Sequence, residues 1–152
     1  MYTLRFNSLW SSLEILEVQT LYEEVASEYL KKLEQLLSSD SFGFGDEKVE
    51  VKKEPGIYLI SDKDGRIVYV GRTKNLQRRL LSNHRSGNIR GSQFRKALMK
   101  YRGLRPEYEI TRYIKKNCEF KFKVVEDPEE RIRLEHFATA IVGPELNVKL
   151  KQ

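Results

Sequence analysis

Two short β-prone runs, Pro55-Gly56-Ile57-Tyr58-Leu59-Ile60 and Arg66-Ile67-Val68-Tyr69-Val70-Gly71-Arg72, flank a set of turn formers, Asp62-Lys63-Asp64-Gly65. This hairpin constrains the fold before any other feature does. Strand side chains alternate between faces, which puts Tyr58 with Ile60 on one face of the first strand and Ile67 with Tyr69 on one face of the second. With Lys63-Asp64 at the tip, Tyr58 lies across from Tyr69. With Asp64-Gly65 there, Tyr69 lies across from Ile60, and both phenols still share a face. Such a pair on its own is cross-strand packing. Beside a basic helix it is also a starting point for chemistry on phosphate.

Charge divides the chain. Residues 1–50 hold 4 Lys/Arg and 10 Asp/Glu, a net of −6, and residues 51–152 hold the other 24 basic and 12 acidic residues, a net of +12. The expected organisation is an acidic helical extension with a linker over 1–48 and a basic domain over 49–152, the latter with the electrostatics of a polyanion binder. No apolar run approaches the ~20 residues that span a bilayer, and the start lacks the pattern of a signal peptide. One cysteine, Cys118, excludes an internal disulfide and a cysteine-rich zinc site. The expected setting is reducing and intracellular, cytoplasmic or nucleoid-associated, with no membrane partner.

Residues 1–10 read as a short lead carrying Leu4, Phe6, Leu9 and Trp10. From Ser12 to Leu37 a helix is predicted, with Ser11 or Ser12 as its cap and one stripe of Val18, Tyr22, Val25, Tyr29, Leu33 and Leu36. Residues 38–46 read as a linker. A basic helix is predicted over 74–85, and a second over 93–101 capped by Ser92. A short helix follows over 109–117, then a strand over 119–125 whose Lys121 and Lys123 face solvent. The last helix opens at Asp127-Pro128, where proline's missing N–H is harmless, and Gly143-Pro144 stops it. The expected fold is a small α/β domain of the α+β type: a three-stranded antiparallel sheet flanked by helices, with an N-terminal helical extension.

Gly56-Ile57-Tyr58 and Tyr69-Val70-Gly71 resemble the two half-motifs of the GIY-YIG endonuclease superfamily, with Val in place of Ile in the second. Lys74-Asn75-Leu76-Gln77-Arg78-Arg79-Leu80 resembles the family's basic helix, Arg133-Leu134-Glu135 its metal-binding glutamate, and Gly143-Pro144-Glu145-Leu146-Asn147 its closing Pro-x-x-Asn. The resemblance runs in order over 53–147. It implies a metal-dependent DNA endonuclease with Mg2+ (or Mn2+) on Glu135, Arg79 on the scissile phosphate, and a motif tyrosine, Tyr58 or Tyr69, as general base. Asn147 is implied as a positioning group, and Gly56 and Gly71 permit close approach of strand, helix and substrate.

The residue chemistry suits these roles. Magnesium usually takes one or two protein carboxylates and keeps several waters, so a lone glutamate is a reasonable ligand. On the last helix the apolar stripe is Leu134, Phe137, Ala138 and Ile141, and Glu135 lies at its margin at ~100° per residue. Guanidinium is permanently charged and suits bidentate phosphate contact, so Arg79 can stabilise a transition state but cannot act as a base. Close family members often carry lysine where Arg72 sits; Arg72 is assigned to phosphate or phenolate stabilisation, with Lys74 nearby.

His84 departs from the pattern. Many members place His or Tyr four residues after the arginine, whereas His84 is five after Arg79, ~140° away on a regular α-helix. Either the helix ends or distorts before His84, a possible proton carrier, or the role is filled otherwise.

A basic tract of Arg78, Arg85, Arg90, Arg95, Lys96 and Arg102, together with Arg72 and Lys74, is the expected nucleic-acid surface. It supplies phosphate contacts without a base-reading motif. The expected partner is branched or duplex DNA, with RNA still open. The alternative function is a catalytically inactive nucleic-acid-binding module of the same fold. For the N-terminal helix the options are a homodimer arm, a partner-protein site, packing on its own domain, or a lid lying across the basic groove.

Overall fold

The computed structural model describes residues 11–150, with side chains as far as Asn147; the lead read over residues 1–10 lies outside them. Helix α1 (Ser12–Leu37) begins with a capping box. The Ser11 hydroxyl accepts the Glu14 N–H, and the Glu14 carboxylate accepts the Ser11 N–H. Its stripe is buried only at Leu33 and Leu36, while Val18, Tyr22 and Val25 are exposed. Burial of those two leucines, about 2 kcal/mol each, anchors the last turns of α1 alone.

Strands β1 (Phe42–Gly43), β2 (Gly56–Ser61), β3 (Ile67–Thr73) and β4 (Glu119–Val124) form one antiparallel sheet in the order β1-β4-β2-β3. The sheet therefore has four strands where three were expected. Residues 38–46 are not a free tether: Phe42 pairs with Phe120 across the sheet, and Phe44 is fully buried with its ring 4.7 Å from that of Phe120.

The hairpin register is Ile60 opposite Tyr69 and Tyr58 opposite Gly71. The Gly65 N–H bonds to the Asp62 carbonyl, closing a turn about Lys63-Asp64, and Gly65 takes φ 76°, which a glycine adopts without strain. A further irregularity at Ile60/Ser61 shifts the pairing by one residue. In consequence Val68 and Tyr69 join one core layer, and Ile67 joins the other. The expectation that Ile67 and Tyr69 share a face is corrected by that bulge.

Tyr58, Ile60, Tyr69 and Phe120 make one face of the sheet. They are covered by a helix containing Arg78–His84, by α2 (Gln93–Arg102), α3 (Glu107–Asn117) and α5 (Glu145–Leu150). Ile57, Leu59 and Val70 make the other, under α4 (Pro128–Val142) and the end of α1. The face of β4 expected to be solvated is roofed by α1. The Lys121 and Lys123 ammonium groups donate to the Leu37 carbonyl and the Gln35 side chain. Ile141, expected in the α4 stripe, is exposed. No described helix is long and apolar enough to cross a membrane.

Candidate active site

The Arg78–His84 segment is a π-helix, and the Arg85 N–H bonds to the Leu80 carbonyl five residues back. That wider turn changes the angular arithmetic. Hydrogen bonds closing i→i+5 bring a five-residue step round toward one face, as a four-residue step does in an α-helix. The distortion allowed for at His84 is present, and it delivers the imidazole to the motif tyrosines. His84 is buried, its Nε2 lies 2.7 Å from the Tyr58 hydroxyl, and its Nδ1 lies 2.7 Å from Ser92 Oγ. Ser92 Oγ also accepts the Arg95 N–H.

This chain of groups has one proton to spare. Tyr58 O–H, Ser92 O–H and the single N–H of neutral His84 are three donors for two hydrogen bonds. With the imidazole proton on Nε2, the Tyr58 O–H is left to turn elsewhere. With it on Nδ1, the Ser92 O–H is. Burial, reinforced by the Arg79 and Arg95 charges, pushes the imidazole down to about 3, so His84 is neutral at physiological pH.

Both phenols feel Arg79 and Glu135. Burial raises the Tyr69 phenol to about 12, with Arg79 pulling it down and Glu135 pushing it up. Burial lifts Tyr58 well above its ordinary value, and Tyr69, Arg79 and Glu135 act on it in the same electrostatic neighbourhood. The two rings stack with centroids 6.3 Å apart. Tyr69 retains 9% exposure against 2% for Tyr58, so it is the more accessible phenol.

Glu135 projects from α4 with 17% of its side chain exposed. Its Oε2 lies 4.0 Å from Arg72 Nη1 and 3.4 Å from His136 Nε2. No hydrogen bond reaches its carboxylate oxygens among the described residues, which leaves a half-buried carboxylate with only the Arg72 and His136 contacts. Among those residues no group of three or more His, Cys, Asp or Glu side chains converges, so any ion there would take fewer than three such side chains.

Beside these groups lies a depression of about 650 Å³ walled by Arg72, Lys74, Arg78, Arg79 and Arg131, with no acidic residue in its lining. Arg79 Nη1 donates to the Gly91 carbonyl at 3.4 Å. No α1 residue lines the depression, which removes the expectation of a lid there for the described part of that helix.

One member of the expected DNA surface, Arg95, is corrected. Arg95 is fully buried. It donates to the His84 carbonyl at 3.0 Å, to Glu107 Oε2 at 2.8 Å and to Thr111 Oγ1 at 3.0 Å, fastening the end of the π-helix to α3. Arg102 is engaged with Glu145 Oε2 at 2.7 Å and lies within electrostatic reach of Asp62 at the hairpin turn, at the opposite end of the strands from Arg72. Arg90 and Lys96 are exposed, and Arg85 is half-buried with a 3.4 Å contact to the Asp46 carbonyl. Sequence reasoning did not find Ser92, Asn83 or Arg131 as site-lining groups. Ser92 carried a signal only as a helix cap.

The remaining motif residues hold the frame. β3 is an edge strand, and the Asn147 side chain pairs with it as a further strand would. Its Oδ1 accepts the Val70 N–H at 2.8 Å, and its Nδ2 donates to the Val70 carbonyl at 2.7 Å. Gly71 leaves room for the Tyr58 phenol, since a Cβ there would lie 2.3 Å from its oxygen. A Cβ on Gly56 would lie 2.2 Å from the Lys123 carbonyl.

A family model described as the GIY-YIG catalytic domain matches residues 54–137, which contain Tyr58, Tyr69, Arg79, His84 and Glu135. The chain belongs to the GIY-YIG family. The chain is 36% identical over 106 residues to the UvrABC system protein C of Tropheryma whipplei (strain Twist), covering 68% of this chain and 14% of that relative. It is 30% identical over 102 residues to the UvrABC system protein C of Synechococcus sp. (strain CC9311), covering 67% of this chain and 13% of that one. The chain thus spans about one seventh of the length of these relatives. Among solved structures, the GIY-YIG N-terminal endonuclease domain of UvrC from Thermotoga maritima bound to magnesium is similar at 18% identity and a TM-score of 0.42, over 76% of this chain and 94% of that one.

Proposed function

We propose that this chain is a metal-dependent DNA endonuclease domain that hydrolyses phosphodiester bonds. The observation that carries the reading is that the stacked motif phenols, held by His84, share one site with Glu135 and with an acid-free basic depression whose wall residue Arg72 reaches Glu135 at 4.0 Å. A half-buried carboxylate that accepts no hydrogen bond fits a hard cation, and Glu135 is the residue that would hold Mg2+, with Mn2+ as a substitute. Such an ion, when bound, supplies charge relief at the phosphoryl oxygens and eases departure of the leaving oxygen.

The side chains supply the rest. Arg79 holds the scissile phosphate and stabilises the charge that develops on it, in a site partly withdrawn from water. Arg72, beside Glu135, shares that role and favours an ionised phenol. Tyr69, the more accessible phenol, acts as the base in its ionised form: it first gives its own proton to solvent and then takes one from the attacking water. Tyr58, His84 and Ser92 form the support behind it, a hydrogen-bonded row with 2.7 Å contacts that either neutral imidazole tautomer can satisfy. Asn147 keeps the Tyr69-Val70-Gly71 backbone in place from the free edge of the sheet.

One observation favours the second reading, a catalytically inactive nucleic-acid-binding module: burial holds both phenols in the neutral form. Incubation of the purified chain with supercoiled plasmid and with branched DNA, with magnesium or manganese, separates the two. Metal-dependent nicking that disappears in Glu135→Ala supports the nuclease. Binding without nicking supports the inactive module, and equal nicking by variant and wild type identifies a contaminant.

A further inference from the structure

Among the described residues Arg131 is a cation with no acid in ion-pair contact. It lies in the first turns of α4 and is only 7% exposed. Its Nη1 donates to the Val125 carbonyl at 2.8 Å and to the Glu126 carbonyl at 3.1 Å. No carboxylate pairs with it among the described residues, and it forms part of the wall of the basic depression. Burying an unpaired guanidinium is unfavourable unless something satisfies it. Here two carbonyls fix one nitrogen, and the other donors are left for whatever fills the depression.

The position of Arg131 limits what that ligand can be. It precedes Glu135 by four residues on the same helix, so the two side chains share a face of α4 about 6 Å apart along its axis. That is the scale of one step between successive phosphates of a nucleic-acid strand. The wall carries Arg72, Lys74, Arg78 and Arg79, and no aromatic ring on which a base could stack. A ligand with regularly repeated negative charge fits these features, and one recognised through its bases does not.

We propose that Arg131 forms a subsite for a second backbone phosphate, adjacent to the scissile one, and so positions the strand without reading its sequence. The proposal rests on the nuclease reading of the same depression. In it Arg131 is a binding residue. It should change affinity and salt dependence.

The test uses short DNA duplexes in which single linkages flanking the cut are replaced, one at a time, by uncharged methylphosphonate. Binding is measured by fluorescence anisotropy without metal, and cleavage by single turnover with magnesium, for wild type, Arg131→Ala and Arg131→Lys. On all-phosphate DNA, Arg131→Ala should bind about tenfold more weakly, with the slope of log affinity against log salt reduced by about one. One methylphosphonate position should weaken wild type by the same factor and leave Arg131→Ala with no further loss. Arg131→Lys, which keeps the charge, should recover the salt slope, and it carries the test if the alanine variant does not fold. Equal losses for Arg131→Ala on every duplex, or an unchanged salt slope, would overturn the subsite and leave Arg131 a structural brace. A protein that binds with this phosphate dependence but never cuts would keep the subsite and sink the nuclease reading.

Discussion

The phenol of Tyr58 lies directly over Gly71 on the neighbouring strand, so closely that a methyl group at position 71 would sit 2.3 Å from its oxygen and 2.4 Å from Cζ. The same oxygen is held by His84 at 2.7 Å. The ring therefore cannot retreat from a larger residue 71 without losing its imidazole partner. The second glycine of the hairpin motif is explained by the first tyrosine, through space and not through backbone freedom.

Gly71→Ala should accordingly lower stability by about 1–3 kcal/mol, the usual range for overpacking a core. It should also reduce the single-turnover cleavage rate by about a hundredfold, because the support behind the reacting groups is displaced. Urea unfolding and a cleavage time course check both. A variant with wild-type rate would show that Tyr58 placement is immaterial.

His84 reaches Tyr58 because the helix is π-wound, and Asn83 instead lines the open depression. The double variant Asn83→His/His84→Asn restores the four-residue spacing from Arg79 seen in many family members, yet it should fail here. Its cleavage rate should fall as far as that of His84→Ala, by about a hundredfold or more. Recovery of activity in the double variant would mean that the helix rewinds to suit the imidazole.

How much of this was legible in the sequence depends on how far each determinant lies along the chain. The placing of Tyr58 with Ile60, the helix caps at Ser92 and Asp127, and the marginal position of Glu135 follow from periodicities of two and 3.6, and all are found. The register is not local. A bulge at Ile60/Ser61 moves the pairing by one residue, and no composition marks it. Nor does any residue pattern announce an i→i+5 helix, so His84 looked misplaced when it is central. Arg95 read as a phosphate ligand because a lysine–arginine tract looks alike whether solvated or buried. What buries it, Glu107 and Thr111, lies on another helix. The α1 stripe runs on in sequence past the point where the body it packs against ends.

The neutral state of His84 gives a pH signature of stability. Its folded value of about 3 lies below the ordinary 6.5, so between these values the unfolded chain binds a proton that the native state does not. Stability therefore falls as pH drops through that window, by up to about 1.4 kcal/mol per pH unit from this group. Denaturant unfolding of wild type and His84→Gln between pH 7 and pH 4 measures the difference in slope, which the variant should lack. Parallel curves would contradict the buried, neutral imidazole.

Asn147 satisfies both polar groups of Val70 on the open edge of β3. Asn147→Asp keeps an acceptor for the N–H but leaves the Val70 carbonyl without a donor and facing a carboxylate. It should lose about 1–3 kcal/mol and speed hydrogen exchange of the β3 amides. Unaltered exchange would mean that the amide pairing does not hold the strand.

The central claim is that Tyr69 ionises to activate water within reach of Arg79 and Glu135. Removing only its oxygen tests this most directly. Under single-turnover conditions with saturating magnesium, Tyr69→Phe should cleave a duplex about 10² to 10⁴ times more slowly than wild type, with DNA affinity and folding unchanged. A Tyr69→Phe protein cutting at the wild-type rate would contradict the account.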